Sequence, residues 1–190
     1  MRKVVAAEYV TLDGVITDPG GVGEIEHGGW SNAYFNDELG EYQSEQLFAS
    51  DALLLGRVTY EGFAAAWPSM EDTEGEFAVK MNTLPKFVAS RSLQEPLVWN
   101  GTLLKGDPAD AVAELKEQPG HDILIYGSGQ LVNALHPYGL IDEYRLMVFP
   151  VTLGEGERLF RNSAKVDLRL TDAKTTSTGV LMATYESTAG

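Results

Sequence analysis

The 190-residue chain has no cysteine, which excludes a disulfide framework, a thiol nucleophile and any Cys-based metal site. It is also poor in positive charge: 14 Lys and Arg face 28 Asp and Glu, a formal net charge of -14. Such a field repels phosphate backbones and anionic lipid, so binding to nucleic acid or to a membrane surface is not expected. A small anionic ligand is compatible with it only where donors cluster locally. No run approaches the ~18 consecutive apolar residues of a membrane-spanning helix. The apolar start at residues 4–7 is cut off by Glu8, too early for a secretory leader. A soluble cytoplasmic protein is the expectation. His27, His121 and His136 fall at no metal-ligand spacing, so no metal site is expected either.

What is present is ordinary globular composition, 44% hydrophobic and 22% charged. At this length one domain over residues 1–190 is expected. The apolar runs at 3–12 (broken by Glu8), 52–55, 86–90 and 123–126 do not alternate with polar residues. They read as strands covered on both faces, as in a parallel sheet. Between them, helices are expected from Ser31 or Asn32, over 58–67 up to Pro68, and from Asp107-Pro108 to Gln118, where an acid N-cap precedes proline at the first helical position. Residues 70–76 are acidic and read as solvated, and the glycine-rich 18–23 segment reads as a mobile or functional loop. After Gly139 two longer strands, 142–150 and 180–187, suggest an antiparallel finish. Strand alternating with helix predicts an α/β fold: a mostly parallel central sheet, helices on both faces and a C-terminal hairpin.

In such a sheet, ligands sit beyond the carboxyl ends of the strands. Four of these ends carry polar or glycine turns: Leu12-Asp13-Gly14, Gly56-Arg57-Val58-Thr59, Ser90-Arg91-Ser92 and Gly127-Ser128-Gly129-Gln130. Two lead directly into helices, whose first N–H groups lack internal partners and favour an anion. Arg57 and Arg91 add guanidinium groups suited to phosphate oxygens. The competing reading is that the glycines permit tight turns while the arginines pair with surface acids. Gly127-x-Gly129 has no third glycine and so is not a full dinucleotide fingerprint. Glu8, a carboxylate in an apolar strand, calls for a partner or a pocket, and pairing in the core is the expectation.

Taken together, these segments resemble a known family. Leu54-Leu55-Gly56-Arg57-Val58-Thr59-Tyr60-Glu61 is similar to the strand–G-R-x-T-[YW]-E–helix segment of dihydrofolate reductases, and Ile125-Tyr126-Gly127-Ser128-Gly129-Gln130-Leu131 to their later glycine pair. Tyr9-Val10-Thr11-Leu12-Asp13-Gly14 resembles the S-L-D-G opening of riboflavin-pathway reductase domains. Asp142-Glu143-Tyr144-Arg145-Leu146 and Leu153-Gly154-Glu155-Gly156 match that group's D-E-x-x-L strand and L-G-x-G loop. The motifs run in order over nearly the whole chain and resemble the bacterial deaminase–reductase C-terminal-domain family, with the dihydrofolate-reductase-like fold. The resemblance implies NADPH binding, hydride transfer to a small heterocyclic or carbonyl substrate, and a homodimer.

Position by position, the resemblance has Gly56, Arg57 and Thr59 holding the pyrophosphate, with Ser90 and Arg91 facing the adenosine 2′-phosphate. Gly127, Ser128, Gly129, Gln130 and Leu131 would cradle phosphate and ribose, and Leu12, Asp13 and Gly14 would lie near the nicotinamide and substrate. Asp13 and Asp37 are the candidate acid–base residues, although Asp13-Gly14 is equally a turn dipeptide in which the acid caps the backbone. Trp30 and Tyr126 are candidates to stack on a flat ring, or else to complete the core. Family members that reduce the riboflavin-pathway aminouracil carry glutamate where this chain has Tyr126, and lysine where it has Ala7. Three readings follow: a reductase, a catalytically inactive nucleotide-binding or sensor protein of the same fold, and a binder of another phosphate such as flavin mononucleotide.

Overall fold

Each non-alternating run becomes a strand with side chains buried on both sides. The computed structural model describes residues 1–161 and 164–188. Its strands are β1 (Val4–Thr11), β2 (Ser50–Gly56), β3 (Lys86–Ala89), β4 (Gly101–Leu103), β5 (Asp122–Tyr126), β6 (Glu143–Phe149), β7 (Leu168–Thr175) and β8 (Leu181–Ser187). The helices are α1 (Asp37–Ala49), α2 (Arg57–Ala66), α3 (Glu71–Thr83), α4 (Pro108–Glu117) and α5 (Gly129–Leu135). The strands form one sheet in the order β4-β3-β2-β5-β1-β6-β8-β7. From β4 to β6 all pairings are parallel; β8 then pairs antiparallel with β6, and β7 with β8.

Alternate residues of the central strands face opposite layers. Val5, Leu53, Leu55 and Leu124 pack with Leu39 and Leu47 of α1, Tyr60 of α2 and Met81 of α3. Val4, Ala6, Leu54, Ile123 and Ile125 pack with Val112 and Leu115 of α4 and with Leu131 and Val132 of α5. Helices therefore cover both faces, as the patterning predicts. At roughly 25 cal/mol per Å² of apolar surface removed from water, these two layers supply the main drive to fold.

The structure adds local detail to three expectations. A 3-10 turn does begin at Asn32 after Ser31, but it ends at Tyr34, and α1 starts separately at Asp37, where Asn36 is the N-cap and accepts from the Leu39 amide at 3.1 Å. The acidic 70–76 stretch is solvated as expected, with 71–76 exposed, and it also opens α3, which the fully buried Ala78 and Met81 anchor. The 18–23 segment is folded around its own acid. The buried Asp18 carboxylate accepts from the amides of Val22, Gly23 and Glu24 at 2.6, 3.0 and 2.9 Å, which lowers its pKa against the opposing effect of burial. Among the described residues no helix is long and apolar enough to cross a membrane.

Candidate functional site

β2 and β5 are neighbours, but the chain leaves them in opposite directions. β2 runs into α2 on the face shared with α1, and β5 runs into α5 on the other face. Adjacent strands whose connections diverge open a crevice beyond their carboxyl ends, the position that open α/β sheets use for ligands. Here the two turns are also joined. The Gly56 amide donates to Ser128 Oγ at 3.0 Å, and a Cβ on Gly127 would come within 3.4 Å of Thr59 Oγ1. Gly127 and Ser128 both take left-handed conformations, φ 57 and 65°, the glycine at no steric cost. Gly56 is the N-cap of α2, so the first amides of that helix, which have no acceptor within it, face the same crevice.

On one side lie Ser90 and Arg91, directly after Ala89, the register partner of Gly56. On the other, Leu12, Asp13 and Gly14 follow β1, the neighbour of β5. The order β3-β2-β5-β1 sets the first three ends level, while β1 runs on from Ala7, the partner of Tyr126, to Thr11, so Leu12, Asp13 and Gly14 lie farther out along the strand direction. At an interstrand spacing of about 4.8 Å the four strands span roughly 14 Å.

The individual side chains differ in what they have left to offer. Arg57 pairs with Glu61 at 2.8 Å, both about half exposed, whereas Arg91 is exposed and has no ion pair among the described residues. Ser90 Oγ accepts from the amides of Ser92 and Leu93 at 3.1 and 3.0 Å, capping its own turn. The Ser128 hydroxyl accepts from Gly56 and donates to the Tyr126 carbonyl at 3.3 Å, so Ser128 faces a ligand through its backbone only. Leu131 is buried, and its amide is bonded to the Ser128 carbonyl at 2.8 Å. It supports the turn from beneath. Gln130 is exposed. A Cβ on Gly129 would meet the terminal methyl of Ile16, so a side chain there requires Ile16 to rotate away. That contact with Ile16 has no local sequence signal, since 113 positions of chain separate the pair.

Asp13 and Asp37 are not brought together. The Asp13 carboxylate accepts from Thr11 Oγ1 at 2.6 Å and from the amides of Gly154 and Leu153 at 2.8 and 3.2 Å. Led by the Thr11 hydroxyl, these donors lower its pKa to about 2. Asp37 is exposed on the first turn of α1. The flanking Asn36 and Glu38 bind Ser177 in the β7–β8 turn at 3.0 and 2.7 Å, and β8 lies three strands from β5.

Trp30 and Tyr126 take the core role rather than that of ring-stacking walls. Both are 7% exposed. The Trp30 indole donates to the Thr17 carbonyl at 2.8 Å and meets Phe149 edge-on. The Tyr126 hydroxyl donates to the Gln43 carbonyl of α1 at 3.0 Å, and burial pushes its pKa up. Ala7, the other departure from the family pattern, is the cross-strand register partner of Tyr126, so a small side chain stands beside the large ring. Among the described residues Glu8 lacks its expected partner. It is 2% exposed, one carboxyl oxygen has no hydrogen bond, and burial raises its pKa well above the ordinary value.

Comparison with known proteins agrees with this fold. Residues 2–182 match the model of the RibD C-terminal domain. YyaP of Bacillus subtilis (strain 168), an uncharacterized protein, is 31% identical over 187 residues, 97% of this chain and 94% of its own length. YwjB of the same organism, also uncharacterized, is 31% identical over 172 residues, 88% and 90% of the two chains. Among solved structures, a putative riboflavin biosynthesis protein from Shewanella sp. PV-4 superposes with a TM-score of 0.67 at 20% identity, covering 97% of this chain and 98% of that one. A Thermotoga maritima diaminohydroxyphosphoribosylaminopyrimidine deaminase/5-amino-6-(5-phosphoribosylamino)uracil reductase superposes with a TM-score of 0.67 at 15% identity, covering 98% of this chain and 56% of that one. The chain belongs to the RibD C-terminal domain family and has the dihydrofolate-reductase-like fold.

Proposed function

We propose that this protein is an NADPH-dependent oxidoreductase that passes a hydride to a small heterocyclic or carbonyl compound. The observation that carries this reading is the Gly56–Ser128 hydrogen bond at 3.0 Å, which joins two diverging turns into one crevice. The residues present fit the cofactor. α2 offers its first amides with Arg57 and Thr59, the Gly127–Gln130 turn offers backbone without side-chain obstruction, and Arg91 offers a guanidinium unpaired among the described residues to a 2′-phosphate. A row of four strands roughly 14 Å across suits a dinucleotide better than a lone phosphate. When bound, NADPH supplies the hydride.

The protein's own contribution is orientation. Exposed Leu12, 66% accessible at the end of β1, gives a flat ring an apolar surface to cover. Gly14, at φ 85°, turns the chain away from the crevice. Asp13, with its pKa near 2, is ionised at neutral pH and positions the turn; it holds no proton to deliver. The test is oxidation of NADPH against pterins, aminouracils and quinones. Turnover with at least one of these supports the reductase.

A second reading, a nucleotide-binding protein without turnover, is favoured by one observation: the Tyr126 hydroxyl and the Asp13 carboxylate are both fully engaged within the protein. Tight NADPH binding with no oxidation against the whole panel selects it.

A further inference from the structure

β1 outruns its neighbour β5. β5 ends at Tyr126, the register partner of Ala7, and the chain then turns into α5 on the opposite face, while β1 continues through Tyr9 to Thr11. Tyr9 lies two residues past Ala7, so its side chain is on the same face of the sheet as those of Ala7 and Tyr126, the face covered by α1. On one side Tyr9 is in register with Met147 of β6. On the other, β5 has already ended. Tyr9 is therefore the first side chain of β1 on this face to stand against the crevice instead of against a strand.

Its ring is partly buried and packs on the fully buried Phe149, with centroids 4.7 Å apart. Trp30 meets the same Phe149 edge-on at 5.2 Å. Burial in this aromatic wall raises the Tyr9 pKa, so the phenol keeps its proton through the neutral range. Enclosed tyrosines ordinarily find a partner for the hydroxyl. Tyr42 meets Thr184 Oγ1, Tyr60 the Val98 carbonyl, Tyr126 the Gln43 carbonyl and Tyr144 the His136 ring. The Tyr9 hydroxyl has no hydrogen bond among the described residues, and it is not sealed off from solvent. Burial first, and then the nearby Tyr9, raise the Tyr126 pKa. Two phenols thus lie close together at the end of β5, one engaged within the protein and one with its hydroxyl free.

We propose that the Tyr9 hydroxyl is the hydrogen-bond donor to the C=O or C=N group of the substrate that is reduced. The inference rests on the reductase reading and deepens it, because Asp13 has no proton to give. As the substrate carbon accepts the hydride, its π electron pair moves onto oxygen or nitrogen, and that atom takes the Tyr9 proton. Water at the open hydroxyl returns the proton to the phenolate, and NADP⁺ is the oxidised product.

The test compares the wild type with Tyr9→Phe, which keeps the ring on Phe149 and removes no contact of the hydroxyl among the described residues. Thermal melts check the fold. Dihydrobiopterin, aminouracil and phenanthrenequinone are each assayed for NADPH-dependent turnover and, with NADP⁺ in place of NADPH, titrated by calorimetry. The expected result is a tenfold or greater loss of kcat/KM for every compound that the wild type reduces, with NADPH affinity and melting temperature unchanged. Retention of kcat/KM within twofold overturns the proposal and leaves the reductase reading standing. A wild type that binds one of the three without turnover ends the reductase reading. Tenfold weaker binding by the variant then still supports the Tyr9 contact, and binding within twofold overturns it. A wild type that neither binds nor reduces any of them overturns both.

Discussion

Three donors converge on Asp13, and they decide its role. Its folded pKa lies below the unfolded one, so its stabilising effect is present above about pH 4 and is lost as pH falls through about 2. Asp13→Asn is expected to reduce stability at pH 7 by about 1–3 kcal/mol, with the gap to wild type closing on acidification in urea melts. The pH profile of any turnover between 5 and 9 should keep its shape. A lost acidic limb would show that Asp13 moves a proton after all. Glu8 runs the other way: its folded pKa is raised, so the wild type loses stability as pH climbs past the unfolded value near 4.5. Glu8→Gln should match wild type near pH 4 and become progressively more stable than it toward pH 8; a constant difference across that range contradicts a neutral buried acid. The turn at Asp13-Gly14 was visible in the dipeptide because it is local, although the amides that the Asp13 carboxylate caps, Leu153 and Gly154, lie 140 and 141 positions away. The fates of Trp30 and Tyr126 were not, since each depends on a carbonyl elsewhere in the fold, Thr17 for one and Gln43, 83 residues away, for the other.

At the scale of elements, the joint between the β2–α2 and β5–α5 turns depends on one hydroxyl. Ser128→Ala leaves the Gly56 amide without its acceptor and frees two left-handed residues to relax. A stability loss of about 1–2 kcal/mol and a roughly tenfold weaker NADPH affinity are expected from urea melts and fluorescence titration. Unchanged affinity would mean that the joint does not shape the crevice. Elements with strong local chemistry were legible: α4 starts where Asp107 caps and Pro108 follows, and its Asp107 side chain accepts from the Ala109 amide at 2.8 Å. α3 was not, because its first turn is acidic and interrupted by Gly75, and packing of Ala78 and Met81 outweighs that weak pattern. β4 has only three residues, and β7 is an edge strand exposed along almost its whole length, so neither shows an apolar pattern.

For the molecule as a whole, strand order is what turns scattered motifs into a site. Gly56, Ser90 and Gly127 are spread over more than seventy positions, yet the order β3-β2-β5 sets their strand ends side by side, with the longer β1 next in the sheet carrying Leu12 beyond them. Apolar runs can show that strands exist and that both faces are covered; they hold no information on which strand neighbours which. The ordered resemblance to a known family filled that gap for the fold, but not for the substrate, where Ala7 and Tyr126 depart together as register partners. The most direct measurement is a side-by-side titration of NADPH and NADH against wild type and Arg91→Ala. The expected result is tighter binding of NADPH by the wild type, with the variant losing at least tenfold in NADPH affinity and little in NADH affinity. Equal affinity for the two dinucleotides in the wild type, unaltered by the substitution, would contradict a 2′-phosphate site at the end of β3.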